Sequence, residues 1–473
     1  MDSCVRLNAD TSTRASNRQI RARRHSRYKQ AIEPIATAPL GPERFELEVA
    51  GARRGRAERD RVMDRAPDGT LSCEVLVVGA GLAGLVAAIG FARSGFDVAL
   101  CGAPERLANG RTVALFDSSI RLLERLDLWP AVEAEAAPLR ILRIIDDTGG
   151  LWTPPPIEFR SGEIGLDAFG WNVENARLLD VLARAARATP GLRLVEGRVE
   201  AYEFGDDLAT ARCQDGAVIR ARLVAAADGR GSPARKAAGI DASTRAYRQS
   251  ALTLILGHSR PHRDASTEFH TRSGPFTLVP LPDSPAGAAR SSLVWLMANP
   301  AARRRAQLDD AALAAAIEAQ CQSMLGRMRI EGGRGLFPMI SQTAARPVGR
   351  RLALIGDAAH VFPPIGAQGL NLGLRDVAHL IEAASEARSE RRDIGGAPAL
   401  DRYADWRRPD VAIRTCAVNG LNSSLLAALP PIDLMRGLGL GALAAIGPLR
   451  RFVMREGVAP HWSTPTMMRP DAA

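Results

Sequence analysis

Between residues 73 and 97 the chain reads "CEVLVVGAGLAGLVAAIGFARSGFD", and this stretch leaves few folds open. "EVLVV" is a short apolar run, rich in Val, of the kind buried on both faces of a parallel sheet. It runs straight into Gly79, Gly81 and Gly84, spaced G-x-G-x-x-G, and then into a helical pattern, "LVAAIGFARSG". Strand, glycines and helix in that order turn a weak pattern into a dinucleotide-binding fingerprint. The first glycine makes the tight turn, the second lets backbone N–H groups reach a pyrophosphate, and the third lets helix and strand pack closely. The helix N-terminus adds roughly half a positive charge facing the phosphates. "DVAL" is the second strand, whose end usually carries an acid for the adenosine ribose. Here Cys101 and Gly102 stand in that place, with Glu105 as a substitute three residues further on. Most of the contact energy sits at the phosphates, so the gap leaves nucleotide binding standing and the nucleotide's identity open.

Two further strand-end motifs narrow that identity. "AAADGRGSPAR" places Asp228 and Gly229 just after a strand, with Ser232 and Arg235 behind them. "RLALIGDAAHVFPP" places Gly356 and Asp357 after another. A single nicotinamide site needs only the first fingerprint. Three separated strand ends fit a cofactor that runs across several of them, as FAD does.

These motifs, with "GRTVAL...SSIRLLERLDLW", "VENARLLDVL", "GAQGLNLGLRDV" and "AVNGLNSSLL", carry a wider likeness over about residues 73 to 455. The chain resembles the flavin-dependent aromatic hydroxylases of the p-hydroxybenzoate hydroxylase type, and among them it is most similar to the ubiquinone-biosynthesis hydroxylases. The resemblance implies that Asp357 holds a ribityl hydroxyl of FAD. It implies that Asp228 and Gly229 lie near the pyrophosphate and the path of a nicotinamide donor. It implies that Arg111, in "GRTVAL", reaches the phosphates or the flavin edge. The family often has Arg directly after "EN"; this chain has Ala176, and Arg177 is turned about 100° away on a helix.

The stretch "GDAAHVFPPIGAQGLNLG" at 356–373 then gains a physical reading. Pro363 and Pro364 fix the backbone and donate no N–H. Gly366 and Gly369 remove side chains where a flat ring must approach. A helix starting near Gly369, with Leu370 and Asn371 in its first turn, aims N–H groups at the ring's pyrimidine end. A helix terminus there stabilises an anionic reduced flavin by roughly 0.5–2 kcal/mol. Pro364 and the carbonyls around it wall the oxygen-reacting face. His360 is the candidate acid–base group, although flavin chemistry needs no His at that spot and a structural role competes. The cofactor-binding set is therefore Gly79, Gly81, Gly84, Arg111, Asp228, Gly229, Gly356, Asp357, Gly366, Gly369, Leu370 and Asn371, with Pro364 and His360 as catalytic candidates and no metal.

The implied reaction is hydroxylation of a polyprenylated phenol by a flavin C4a-hydroperoxide. O2 is co-substrate, and NAD(P)H or a ferredoxin-type protein is the electron donor. A flavin-dependent reductase or dehydrogenase of prenyl lipids, and a non-catalytic prenyl-lipid carrier, remain as alternatives on the same fold. A halogenase does not fit, because the chain has no W-x-W-x-I-P pattern.

Composition closes off other classes. The net charge is +10 over 473 residues, but residues 1–70 alone hold 15 basic against 10 acidic residues, and aromatics are only 5%. That is a basic tail on an ordinary body, with no base-stacking surface, and nucleic acid is not an expected partner. The six cysteines form no CxxC or Cys/His cluster, which argues against zinc and fits a reducing cytosol. No apolar run approaches the roughly 18 residues of a membrane span. The longest, "GLGLGALAAIGPL" at 437–449, has Arg436, Arg450 and Arg451 at its ends. It suits either a buried or self-associating helix or a segment lying on a bilayer surface. A cytoplasmic protein, peripheral at the inner membrane, follows, with a homo-oligomer and other quinone-biosynthesis proteins as further partners.

The expected architecture is two-domain α/β: a Rossmann-like FAD-binding domain, a mixed β-sheet substrate domain and a helical C-terminus. The FAD-binding domain is assigned 71–138, 165–245 and 340–400, and the substrate domain 139–164 and 246–339. Residues 401–473 form the helical region, and 1–70 a disordered extension, with a targeting peptide as the alternative because residues 11–32 lack any acid. The Arg-rich runs "ARRRAQLDD" and "EARSERRD" read as solvated helix faces, and Trp171 and Trp295 as packing residues.

Overall fold

The computed structural model describes residues 70–103, 110–149, 155–364, 366, 368–426, 439, 441, 445–458 and 464–470, with the backbone alone at 418, 419 and 421–426. Residues 1–69, Glu105 and most of the 437–449 segment lie outside the described residues.

In chain order the strands are β1 (Thr70–Val78), β2 (Val98–Cys101), β3 (Thr112–Phe116), β4 (Ala136–Pro138), β5 (Ile141–Asp146), β6 (Ile157–Arg160), β7 (Gly170–Glu174), β8 (Leu192–Val195), β9 (Val199–Phe204), β10 (Ala209–Cys213), β11 (Val218–Ala226), β12 (Ala242–His258), β13 (Ala265–Thr271), β14 (Gly274–Leu281), β15 (Ala289–Ala298), β16 (Met328–Ala344), β17 (Val348–Gly349), β18 (Leu352–Leu354) and β19 (His360–Val361). The helices are α1 (Leu82–Arg93), α2 (Asp117–Arg125), α3 (Trp129–Glu133), α4 (Asn175–Ala188), α5 (Pro233–Ala237), α6 (Asn299–Ala306), α7 (Asp310–Gln320), α8 (Gln368–Ser389), α9 (Ala397–Leu426) and α10 (Gly447–Val458).

The first sheet has the order β17-β18-β11-β1-β2-β8, with β10 and then β9 added by antiparallel pairing. From β18 to β8 its strands are parallel. Parallel strands must be covered on both faces, so they read as unbroken apolar runs; Val75, Leu76 and Val77 are fully buried. Residues of α1, α4 and α8 form the core on one face. α1 and α8 approach closely because Gly90 has no side chain: a Cβ there would stand 2.6 Å from Cδ1 of Ile381.

The second sheet has the order β19-β16-β12-β15-β14-β13-β5-β6, and the chain enters it twice, first with β5 and β6 and later with β12 to β16. Its pairing sorts side chains into two faces. One row runs Leu252, Trp295, Phe276 and Phe269. It packs with residues of α6 and α7 in a core of its own. The next row, Thr253, Val294, Thr277 and Glu268, points to the opposite face. On that side the Thr112 hydroxyl of β3 meets the Ser292 hydroxyl at 2.8 Å, which joins the small β3-β7-β4 sheet to the second sheet. α7 is capped by Asp309, whose carboxylate accepts the N–H of Ala312 at 2.7 Å.

This is the expected α/β arrangement, ending in helices. The Arg-rich runs need a correction. Arg303 and Arg304 are exposed. Arg305, however, lies over the Trp295 ring at 4.1 Å and Arg388 over Phe96 at 3.7 Å. A guanidinium can cover an aromatic face while keeping contact with water, which spacing along a helix does not reveal. Trp171 makes an edge contact with Trp129, and Trp295 one with Phe276, so both are packing residues. Among the described residues no helix is long and apolar enough to cross a membrane.

Candidate functional site

Register brings the three motifs together. Val78, Ala226, Leu354 and Cys101 lie in one row across β1, β11, β18 and β2. The residues that follow each of them therefore share one edge of the parallel sheet, the carboxyl edge at which ligands of open α/β sheets bind.

At the end of β1 the glycines divide by what surrounds them. A Cβ at Gly79 would fall 2.4 Å from the Ala227 carbonyl oxygen, and one at Gly84 only 1.8 Å from that of Gly79. The fold itself requires both. At Gly81 a Cβ would meet nothing within 4 Å. Gly81 is the N-cap of α1 without any side-chain cap, and the first turn holds no acid. Its openness and the uncapped N–H groups of the first turn make a cradle for an anion.

At the end of β11, Asp228 is only half free. One carboxylate oxygen accepts the N–H of Ala234 at 3.0 Å and so caps α5, while Oδ1 is buried without a partner among the described residues. Burial raises its pKa, against the pull of Ser232, of the Ala234 N–H and of Arg235. Arg235, itself buried, donates to the carbonyls of Ala358 at 2.6 Å and Arg230 at 2.9 Å. It thereby fastens the β11 loop to the β18 loop. Gly229 sits beside Asp228 with nothing near its α-carbon.

At the end of β18, Gly356 opens the turn that carries Asp357. The Asp357 carboxylate reaches solvent and accepts no hydrogen bond from any described residue. It nonetheless stands deep among protein atoms. That crowding raises its pKa, while the charges of His360, Arg111 and Arg230 pull it down. Arg111 stands within electrostatic reach of the acid, with its guanidinium over Phe337 of β16 at 5.0 Å. Arg230 is a neighbour that motif reading passed over, although it lies inside "ADGRGSPAR".

Beyond this turn Pro363 is buried, Pro364 and Gly366 are exposed, and α8 begins at Gln368, one residue before the expected start. Gly369 has open space at its α-carbon. Leu370 packs against the core. The side chain of Asn371 is engaged elsewhere: it accepts from the Phe116 N–H at 2.9 Å and from the Ser119 hydroxyl at 2.8 Å, and donates to the Ala114 carbonyl at 2.8 Å. Asn371 thus clamps α8 to β3 and α2, and offers a cofactor only its backbone.

His360 is buried, and its Nε2 lies 2.7 Å from Oδ2 of buried Asp376. A ring so held buttresses the loop, and its Nδ1 is buried without a partner among the described residues. Arg177 is exposed, with its Nε 3.9 Å from the Glu135 carboxylate. Cys101 turns its thiol into the core, 3.5 Å from that of Cys213, and Gly102 packs against Gly79 and Ala80, so among the described residues of this strand end there is no acid for a ribose. Among the described residues no group of three or more His, Cys, Asp or Glu is placed to hold a metal ion.

The donor set fits FAD: an anion cradle at Gly81, an unengaged carboxylate at Asp357 for a hydroxyl, and a side-chain-free approach at Gly369. Comparison with known proteins agrees. Residues 72–415 match the FAD binding domain family, and the chain belongs to it, a family of FAD-dependent monooxygenases. Among its relatives is a ubiquinone hydroxylase, UbiL, of Rhodospirillum rubrum, 35% identical over 401 residues, which span 81% of this chain and 89% of the relative. The 3-demethoxyubiquinol 3-hydroxylase of Escherichia coli is 33% identical over 391 residues, covering 81% and 97%. Among solved structures, p-nitrophenol 4-monooxygenase of Pseudomonas putida superposes with a TM-score of 0.66 at 19% identity, covering 82% of this chain and 97% of that one. Klebsiella pneumoniae HpxO, solved with FAD, gives 0.65 at 20% identity, covering 82% and 99%, a likeness of fold.

Proposed function

We propose that this chain hydroxylates the aromatic ring of a polyprenylated phenol on the route to ubiquinone, with O2 as co-substrate and NAD(P)H or a ferredoxin-type protein as electron donor. The observation that carries the reading is the row of strand ends, with open Gly81 and unengaged Asp357 on one edge, in a chain whose relatives include two ubiquinone-pathway hydroxylases. Bound and reduced, FAD supplies the oxygen-activating chemistry. The chain's own residues hold and shield it. The first turn of α1 takes the pyrophosphate, Asp357 accepts a hydrogen bond from a ribityl hydroxyl, and Arg111 and Arg230 balance charge nearby. Pro363 and Pro364 fix the loop that faces the ring, and the N–H groups at the start of α8 favour negative charge there. Thr253, Val294 and Thr277, in the row that ends at Glu268, lie on the sheet face that meets β3 and would turn towards the cofactor, where exclusion of water protects a reactive oxygen species.

A prenyl substrate is collected at a bilayer, and α10 offers a surface for it. Leu449, Phe452 and Val453 are exposed on it, Ile446 just before it, and Arg451 and Arg455 are exposed beside them. Such a face suits a cytoplasmic protein peripheral at the inner membrane, in company with other quinone-biosynthesis proteins or a second copy of itself.

The test is isotopic. The FAD-loaded enzyme, a reductant, a prenylphenol in vesicles and 18-O2 should give a product with one labelled oxygen on the ring. Label entering only from water, or a reduced product without added oxygen, would replace hydroxylation by a reductase reading. Failure of the protein to float with anionic vesicles would remove the bilayer from the proposal and leave the chemistry.

A further inference from the structure

Helices α8 and α9 pack together behind the Gly356–Gln368 segment and hold a set of charges that the proposed chemistry does not use. Asp376 on α8 is the first hub. Its Oδ2 accepts the N–H of Gly356 at 2.9 Å and lies 2.7 Å from His360 Nε2, while its Oδ1 accepts from Nε of Arg407 on α9 at 2.6 Å. Arg407 also donates to Asp410 at 2.7 Å. Asp410 is the second hub. It accepts from Arg375 at 2.8 and 3.1 Å and from Nε of Arg414 at 2.9 Å. The far end of Arg414 donates to the side-chain oxygen of Gln368, the first residue of α8. The network therefore leaves the loop at Gly356 and His360, crosses two helices, and returns to the same loop where it becomes helix.

Its charges do not cancel. Three guanidiniums face two carboxylates, which leaves one positive charge among these five side chains. Among the described residues Arg375 Nε and Arg407 Nη2 are also buried without an acceptor. Burial pulls Arg375 down to about 10, still protonated at neutral pH. Burial works against Asp410 as well, yet Arg375, Arg407 and Arg414 hold its carboxyl well below the usual range. His379, on the same helix, is pushed down to about 3, by burial first and then by Arg407 and Arg375, against the opposite pull of Asp376 and Asp410.

We infer that this cluster positions the flavin electrostatically. Asp376 and Arg414 hold the two ends of the loop that faces the ring, and the net positive charge behind it stabilises the reduced, anionic flavin relative to the oxidised one. Charges buried in a low-dielectric interior act over longer distances than charges in water. Asp376 and Arg414 are positioning residues, since they act through the loop and through space. The inference rests on the cofactor contacts proposed above.

The experiment measures the midpoint potential of bound FAD by dye equilibration, alongside FAD affinity and melting temperature, on the full chain. Arg414, at the edge of the cluster with 13% of its side chain exposed, is the variant position that leaves the buried hubs in place. Arg414→Gln should lower the ratio of reduced to oxidised flavin at fixed potential by about tenfold, a shift of ~30 mV for a two-electron couple. Arg414→Lys, which keeps the charge, should stay within about twofold of the parent. Asp376→Asn removes a negative charge, so it should move the ratio the other way while weakening FAD retention. Parent potentials in both Arg414 variants, or equal shifts in Gln and Lys, would overturn the inference while leaving the flavoprotein reading intact. A parent protein that holds no FAD would overturn both.

Discussion

Two aspartates stand at neighbouring strand ends of one sheet, and the fold uses them differently. Asp228, after β11, spends one oxygen on the N–H of Ala234 and so builds the loop it belongs to. Asp357, after β18, accepts nothing from the described protein. The glycines after β1 divide in the same way: Gly79 and Gly84 are required by the carbonyls pressed against them, and Gly81 by nothing in the chain itself. A group that the protein does not need for its own packing, at an edge where neighbours such as Gly79, Gly84 and Arg235 are committed, is the group offered to a ligand. The difference is one of stability against function, and it can be broken by substitution.

The largest contrast is expected between two glycines three residues apart. Gly84→Ala sets a Cβ 1.8 Å from a backbone oxygen, so strand and helix must separate. It should cost on the order of 3 kcal/mol or more and abolish FAD binding together with the fold. Gly81→Ala meets no protein atom, and should melt like the parent while binding FAD at least tenfold more weakly. Calorimetry and flavin fluorescence on the two proteins check this, and a Gly81→Ala that binds FAD normally would remove Gly81 from the cradle.

The next contrast is between the acids. Asp357→Ala loses a charge-assisted hydrogen bond that only the cofactor completes. FAD affinity should fall by roughly 10–150-fold with the apoprotein's melting temperature unchanged. Asp228→Ala loses a helix cap and should cost the apoprotein about 0.5–2 kcal/mol. If both acids behave alike in the apoprotein, the division drawn between them is wrong.

The last contrast concerns acid, and it vanishes near neutral pH and grows only as pH falls below about 6.5. His379 is pushed down to about 3 by burial and by Arg407 and Arg375, so the folded protein keeps it neutral while the unfolded chain protonates it near its ordinary value. The stability this gives is complete above about pH 6.5 and is lost as pH falls from there towards 3, with a slope of at most ~1.4 kcal/mol per pH unit. His379→Phe, which keeps a ring for the stack on Trp406, should flatten the denaturant midpoint between pH 4 and 6.5. An unchanged slope would assign the acid sensitivity to other groups.

The elements of this division were unequally legible in the sequence. Glycine spacing after an apolar strand announces a turn and a helix, and Asp-Gly or Gly-Asp after a strand announces an edge, because both depend on neighbours in the chain. Which aspartate remains free depends on Ala234 and on the lack of a hydrogen-bond donor to Asp357 among the described residues, and neither is written in the motif. Asn371 lies inside a recognisable loop motif, yet its partners, Ala114, Phe116 and Ser119, come from a distant part of the chain. His360 drew notice as a lone histidine, but its meaning came from Asp376, one of many helix acids with nothing in its spacing to mark it. The aromatic partners of Arg305 and Arg388 were hidden for the same reason.

The row of strand ends also orders events at the ribosome. Val78 emerges early, Ala226 much later, and Leu354 only after nearly all of the second sheet has been made. Pairing across such separations is slow, because loop closure must precede the contacts that reward it. Until β18 docks beside β11, the nascent chain has its glycine turn but neither Asp357 nor the start of α8. Cofactor loading is therefore a late step, and a chain halted before β18 leaves an apolar strand edge uncovered, a template for aggregation.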